Sequence, residues 1–290
     1  MAVRSLKSLD MKKKTLPNKI VALALYFLLL GFTLVTLYPV INVFSISLRP
    51  SDRLLSTSLK IIPDGASLNA YKTLFTQTPF LHWFLNSIII AVVVTFTGVM
   101  LASTAGYAFS RFNFYGKKSA MVSLLVTQMF PPTMLLLPMY IMLLQLHLIN
   151  SYLGIIVIYT STALPFCVWQ MKGYYDTIPF SLEEAARIDG STRWGAFTKI
   201  VLPLAAPALV ITALFSFMSA WAEYVVAAQV LQDTSLFTLP LGLKQFEGSM
   251  STQWGLYAAG SLIISIPAVA LFLFLSRWLI SGLTLGSVKG

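Results

Sequence analysis

Residues 181–203 read SLEEAARIDGSTRWGAFTKIVLP and stand between two long apolar runs. Acids are scarce, ten in 290 residues, yet Glu183, Glu184 and Asp189 fall within seven positions. Pro179 suits a helix entrance, and Ser181 followed by Glu184 has the spacing of a capping box. Ala185, Ala186 and Arg187 favour helix, while Asp189-Gly190 is a stop-and-turn signal. Ser191 or Thr192 can cap a second short helix, which Pro203 should end near Leu202. Leu182, Ala185, Ala186 and Ile188 form one apolar stripe, and Trp194, Phe197, Ile200 and Val201 form another. The stretch therefore predicts two short amphipathic helices joined at Gly190.

The chain around it is apolar. Hydrophobic residues make up 57% and charged ones 10%, against roughly 45–50% and about 25% in a soluble domain. Such a chain cannot cover its surface with polar groups in water. Several stretches reach the length of about 20 residues that a bilayer core requires. The composition predicts an all-α polytopic membrane protein. A single Cys167 excludes an intramolecular disulfide. The net charge of +10 is read as lysines and arginines flanking membrane helices rather than as a nucleic-acid surface.

Six spans are expected: about Ile20–Leu48, Phe84–Phe109, Ala120–Leu144, Leu153–Met171, Leu204–Leu231 and Leu256–Ile280. They divide the chain into a tail (1–19), the first span (20–48), an external segment (49–83), a membrane core (84–280, with the polar loop at 172–203) and a tail (281–290). The first apolar run is too long for a cleavable signal peptide and lacks its small-residue cleavage site. Fifteen lysines and arginines fall on one side of the spans and five on the other. The excess places both termini, and the 181–203 stretch, on the cytoplasmic side.

There the two helices could rest on the membrane interface, pack on loops of the same chain, or insert into a groove on another protein. Periodicity does not separate the three. The run Glu184-Ala185-Ala186, three residues, Gly190, nine residues, then Ile200-Val201-Leu202-Pro203, resembles the E-A-A-x3-G-x9-I-x-L-P loop of ATP-binding-cassette (ABC) importer permeases. Gly173-Tyr174-Tyr175 and Ile178-Pro179 ahead of it are similar to the carbohydrate-uptake branch. So are Asn86-Ser87 and the run from Gly106 to Phe112, GYAFSRF. Trp221-Ala222-Glu223-Tyr224 resembles a W-N-E-F/Y pattern, with Ala222 in place of Asn. The 245–255 loop, QFEGSMSTQWG, and the ending GLTLGSVKG look most like second permease subunits of maltose/maltodextrin importers.

This resemblance implies a type I ABC importer permease architecture. By analogy Glu183, Glu184, Ala185, Ala186, Asp189 and Gly190 belong to a coupling loop docked in a cleft of a cytoplasmic ATPase. Ser287, Val288, Lys289 and Gly290 would reach the ATPase interface. The external loop of Gln245, Phe246, Glu247, Gly248, Ser249, Met250, Ser251, Thr252, Gln253 and Trp254 would meet a solute-binding protein. The implied partners are a second homologous permease, two ATPase subunits, the binding protein and membrane lipid. ATP and Mg would be used by the ATPase, with no cofactor on this chain.

The chain contains no G-x-x-x-x-G-K-[ST] loop to cradle nucleotide phosphates. His82 and His147 are expected in loops, away from metal-ligand spacing, and no catalytic residue is assigned. Glu223 is the one charge expected well inside a span, where a carboxylate defaults to a functional candidate. It could line the path, brace a kink or sit protonated in an interface. Pro131-Pro132, Pro138, Pro207 and Pro267 predict bent helices. Trp169, Trp221 and Trp278 are read as interface anchors or core. An ion-coupled carrier would show inverted repeats and more intramembrane charge, and a membrane-embedded enzyme would need a polar cluster within the spans.

Overall fold

The computed structural model describes residues 19–50, 54, 60–248 and 251–285. Ser249, Met250 and Ser287 to Gly290 lie outside the described residues, as do most of the N-terminal tail and the side chain of Trp278. The described residues are helical, without strands. In chain order the helices are α1 (Lys19–Ser47), α2 (Asn69–Thr76), α3 (Phe80–Arg111), α4 (Lys117–Met129), α5 (Leu136–Gln145), α6 (Tyr152–Tyr175), α7 (Ser181–Ile188), α8 (Arg193–Ala196), α9 (Leu202–Leu204), α10 (Ala206–Trp221), α11 (Val225–Val230), α12 (Leu239–Lys244) and α13 (Trp254–Leu285).

Four of them are long and apolar enough to cross a membrane: Val21–Ser47, Phe80–Arg111, Tyr152–Tyr175 and Trp254–Ser276. The expected third span is broken instead. Lys117–Met129 and Pro132–Gln145 meet at 100°. Pro131 and Pro132 lack the N–H groups that would continue the ladder of α4. The expected fifth span is broken at both ends. Arg193–Leu204 meets Ala206–Trp221 at 78°, and α10 stops at Trp221, short of the expected Leu231. Pro267 lies inside α13 without ending it. Pro203 does not stop the preceding helix either; a π turn over Phe197–Val201 carries the chain through it into α9, and the bend falls at Ala205. Wide turns of this kind absorb a register that proline would otherwise break.

At the centre α3, α6 and α10 pack together. Small residues set their approach, as membrane helices require. A Cβ at Gly106 would lie 2.8 Å from the Cβ of Met171, so α3 and α6 nearly touch backbone to backbone there. Two apolar clusters result. One contains Trp83, Ile90, Tyr159, Trp221 and Phe246; the other, near Gly106, contains Ala102, Val168, Met171, Tyr175, Phe197 and Val201. Helix α1 stands apart, packed on α13 with its apolar side chains exposed.

Asn86 and Ser87 explain how the far loop is held. The Asn86 amide donates to the carbonyls of Ser235 and Phe237, both at 2.9 Å, and Tyr152 donates to its oxygen at 2.8 Å. The Ser87 hydroxyl accepts from the N–H of Leu239 at 2.7 Å. Two short polar side chains thus tie the 234–239 segment to the start of α3.

Candidate functional site

Helix α7 begins without the expected capping box. Leu182 N–H donates to the carbonyl of Pro179, and Glu183 and Glu184 N–H both donate to that of Phe180. The chain is already helical at Phe180, with φ −65° and ψ −27°. The first N–H groups are therefore taken, and the Ser181 side chain makes no cap. Glu184 is exposed.

Glu183 instead turns inward and is 3% exposed. Its Oε1 accepts from Arg111 Nε at 2.5 Å and its Oε2 from the Tyr107 hydroxyl at 2.7 Å. Tyr107 and Arg111 are four residues apart on α3 and so project from one face. Arg111 Nη2 also donates to the carbonyl of Ile178 at 2.9 Å. Beside it Ser110 donates to Asp176 at 2.7 Å, and Lys172 bonds the other oxygen of Asp176 at 2.6 Å. Burial alone would raise the Asp176 pKa, but the bonds from Lys172 and Ser110 outweigh it and hold the carboxyl below its ordinary value. The end of α3, the end of α6 and the start of α7 are thus one polar network.

Aromatic rings frame it. The Tyr107 ring centroid lies 4.4 Å from that of Phe197 and 6.0 Å from that of Tyr175. The Arg111 guanidinium sits 5.8 Å from the Phe180 ring centroid. A cavity of about 110 Å³ beside the pair is lined also by Arg187 and Arg193.

The turn out of α7 follows from Gly190, whose φ is +89°. The Gly190 N–H reaches the carbonyl of Arg187 and the Ser191 N–H reaches that of Ala186, the paired bonds of a Schellman motif. Asp189 is the exposed C-cap, and Thr192 caps α8 by accepting from the Gly195 N–H at 3.0 Å. The second apolar stripe divides. Phe197 and Val201 are buried, whereas Trp194 is 64% exposed. On α7, Leu182 and Ala185 are exposed, Ala186 is half-buried and Ile188 is 86% exposed. One face of the helix pair is fastened to the bundle; the other leaves Leu182, Ala185, Ile188 and Trp194 open with Glu184.

Glu223 is not inside a continuous helix. It lies at the break between α10 and α11, where its carboxylate accepts from Tyr159 at 2.6 Å, Val226 N–H at 2.8 Å and Ala227 N–H at 3.1 Å. Its two backbone partners are the second and third residues of α11, so the carboxylate satisfies N–H groups at the start of that helix. On the far loop, Phe246 is buried with its ring centroid 6.0 Å from that of Trp83. Its carbonyl accepts from the Gln253 N–H at 2.9 Å, and Lys244 pairs with Glu247. Gln245, Glu247, Gly248, Ser251 and Gln253 are exposed; Thr252 and Trp254 are half-buried. His82 lies in the first turn of α3 rather than in a loop, and His147 follows α5 with φ +55°.

Glu183 stands out in the sequence as one of three clustered acids, but its partners lie more than 70 residues away. The signal available was Tyr107 and Arg111 at helical spacing in the 106–112 run, facing a chain with few acids.

Comparison with known proteins adds an independent line. Residues 94–284 match the profile described as binding-protein-dependent transport system inner membrane component. The maltodextrin transport system permease protein MalD of Streptococcus pneumoniae is 34% identical over 268 residues, 91% of this chain and 94% of that protein. The galactooligosaccharides transport system permease protein GanQ of Bacillus subtilis is 34% identical over 269 residues, again 91% and 94%. Among solved structures, a bacterial ABC transporter involved in the import of the acidic polysaccharide alginate shares the fold. Its TM-score is 0.79 at 23% identity, covering 90% of this chain and 97% of that one.

Proposed function

Because the chain belongs to the binding-protein-dependent transport system inner membrane components, and is thus a multi-pass protein of the inner membrane, we propose that it is a non-catalytic permease subunit of an ATP-driven oligosaccharide importer. Maltose or maltodextrin is the first substrate to test, as the name of the Streptococcus pneumoniae relative suggests. The Bacillus subtilis relative named for galactooligosaccharides supports a second reading within the same class.

The observation that carries the reading is the two-sided helix pair α7–α8. A surface that keeps Leu182, Ala185 and Ile188 exposed at three-residue spacing on α7, with Trp194 beyond the turn and Glu184 without an ion pair among the described residues, is suited to a protein groove. Glu184 could there accept a charge-assisted bond from a partner arginine. The opposite face, tied through Glu183 to Tyr107 and Arg111, would pass any movement of the pair to α3.

In this mechanism the chain pairs with a second permease, and the path lies between them. Two cytoplasmic ATPase subunits close on ATP and Mg, move the helix pair, and rock the spans as rigid bodies. A solute-binding protein engages the outer side, where Gln245 to Trp254 would meet it. Coupling of this kind is reciprocal, so the loaded binding protein would favour ATPase closure. Both termini are cytoplasmic in this arrangement, and Ser287 to Gly290 would extend toward the ATPase.

The first experiment is a gentle detergent pull-down of the tagged chain from native membranes, with mass spectrometry of what accompanies it. A nucleotide-binding ATPase and a second permease are expected. Recovery of the chain alone, in a form that still transports, would sink the reading. In the assembled transporter Glu184→Arg should assemble poorly or lose sugar-stimulated ATP hydrolysis; unchanged hydrolysis with normal uptake would remove Glu184 from the docking surface.

A further inference from the structure

A second polar feature lies at the same level of the bundle, away from the helix pair. Where α3 has ended and α4 begins, a groove of about 580 Å³ opens, bounded by Tyr115, Lys117, Lys118, Met121, Trp169 and Lys172. Three lysines line it, of which Lys172 is paired with Asp176. The nearby carboxylate, Asp176, is already bonded to Lys172 and Ser110. Lys117 uses one of its donors on the carbonyl of Phe112 at 3.1 Å and has others left. Among the described residues Lys118 has no ion-pair partner.

The groove sits at the boundary of the apolar zone. Arg111 closes α3 and Tyr175 closes α6, both long and apolar enough to cross a membrane, and helices that do so end at the water interface. Trp169 donates from its indole N–H to the carbonyl of Met121 at 3.0 Å, which fixes the ring as the groove floor. Tyr115 is fully exposed. Tryptophan and tyrosine collect at headgroup level because one end of each ring system is apolar and the other wet. Gly116, the cap of α4, offers no side chain, so the first turn of α4 has no side-chain cap.

We propose that this groove binds the phosphate of an anionic phospholipid headgroup. A headgroup phosphate is held by Lys117 and Lys118, with Lys172 beside them on its tie to Asp176, while its acyl chains run down the exposed apolar faces of the bundle. Basic recesses between spanning helices hold anionic lipid in this way. The proposal needs only that the chain spans a membrane, not that it transports sugar, and its test reads lipid retention on the full chain itself.

The full-length chain is purified in detergent with vesicle lipid of equal parts phosphatidylglycerol and phosphatidylcholine, and retained lipid is measured by native mass spectrometry. Phosphatidylglycerol should be retained in preference. Lys117→Gln with Lys118→Gln should weaken its retention about thirtyfold, and Lys118→Gln alone about fivefold. The single variant changes an exposed side chain and keeps the test open if the double variant folds poorly. Lys60→Gln with Lys72→Gln, at the other end of the bundle, should leave retention unchanged. Equal retention by wild type and both groove variants, at unchanged melting temperature, would overturn the site. Inorganic phosphate that competes while the two lipids bind alike would overturn the lipid assignment in favour of a free phosphate.

Discussion

Arg111 and Glu183 form a buried ion pair, Nε to Oε1 at 2.5 Å, with side chains 8% and 4% exposed. It joins the end of a spanning helix to the start of a short helix outside the bundle. Neither charge can be removed alone without leaving the other desolvated, and the Tyr107 hydroxyl would also lose its acceptor. The tie is therefore stiff in both directions.

Glu183→Ala should destabilise the chain by about 3–5 kcal/mol, the cost of an uncompensated buried charge. The triple variant Tyr107→Phe, Arg111→Met, Glu183→Met should recover most of that loss, since apolar groups of similar volume replace such pairs nearly neutrally. Thermal unfolding in detergent reads both. Equal destabilisation by Glu183→Ala and Glu184→Ala would contradict the assignment of Glu183 as the inward residue.

At the α10–α11 break, Tyr159→Phe should cost about 1.5–3 kcal/mol, because the bond it removes is to a carboxylate. Glu223→Gln should cost less than Glu223→Ala. The amide oxygen can still accept from Val226 and Ala227 N–H, whereas alanine caps nothing. A Glu223→Ala variant as stable as wild type would show that the break holds without its cap.

Gly190→Ala should cost about 1–2 kcal/mol, since φ +89° lies where a Cβ meets the backbone. Nothing lies within 4 Å of the added Cβ, so the penalty is conformational rather than steric crowding. Gly190→Asn should recover part of it. Matching losses for alanine and asparagine in a melting assay would count against this account.

The pH dependence of the Asp176 tie has a definite sign. Its folded pKa is lowered from 3.8. A lowered carboxyl pKa gives stability that is present above the unfolded value and lost as pH falls through the folded one. The melting difference between wild type and Asp176→Asn should be flat at neutral pH and shrink only below 3.8. A difference that shrinks already near neutrality would assign the tie to another group.

The apolar runs made the spanning helices legible, and α1, α3, α6 and α13 fall where composition places them. The third and fifth spans were less so, because apolar content sets whether a segment enters the bilayer but not whether it stays straight. Pro131-Pro132 pointed to one break. The break at Ala222–Tyr224 has no proline and is held by Glu223 across to Tyr159, a contact that no local pattern encodes. In the same way Gly190 and Thr192 announced their turn and cap, since both act within a few residues. Glu183 and Glu184 looked alike in sequence. What separates them is the face each presents to Tyr107 and Arg111, 76 and 72 residues away from Glu183.

That separation orders the birth of the protein. Arg111 leaves the ribosome 72 residues ahead of Glu183, which at about 5–20 residues per second is a wait of roughly 4–14 s. In that interval the guanidinium has no Glu183 to pair with, and α6, which lies between the two in the chain, is made before the carboxylate. The two short helices can lock onto α3 only once Glu183 has been made. A partner that reads their outward face would thus engage chains in which α3 and α6 are already made, in preference to shorter ones.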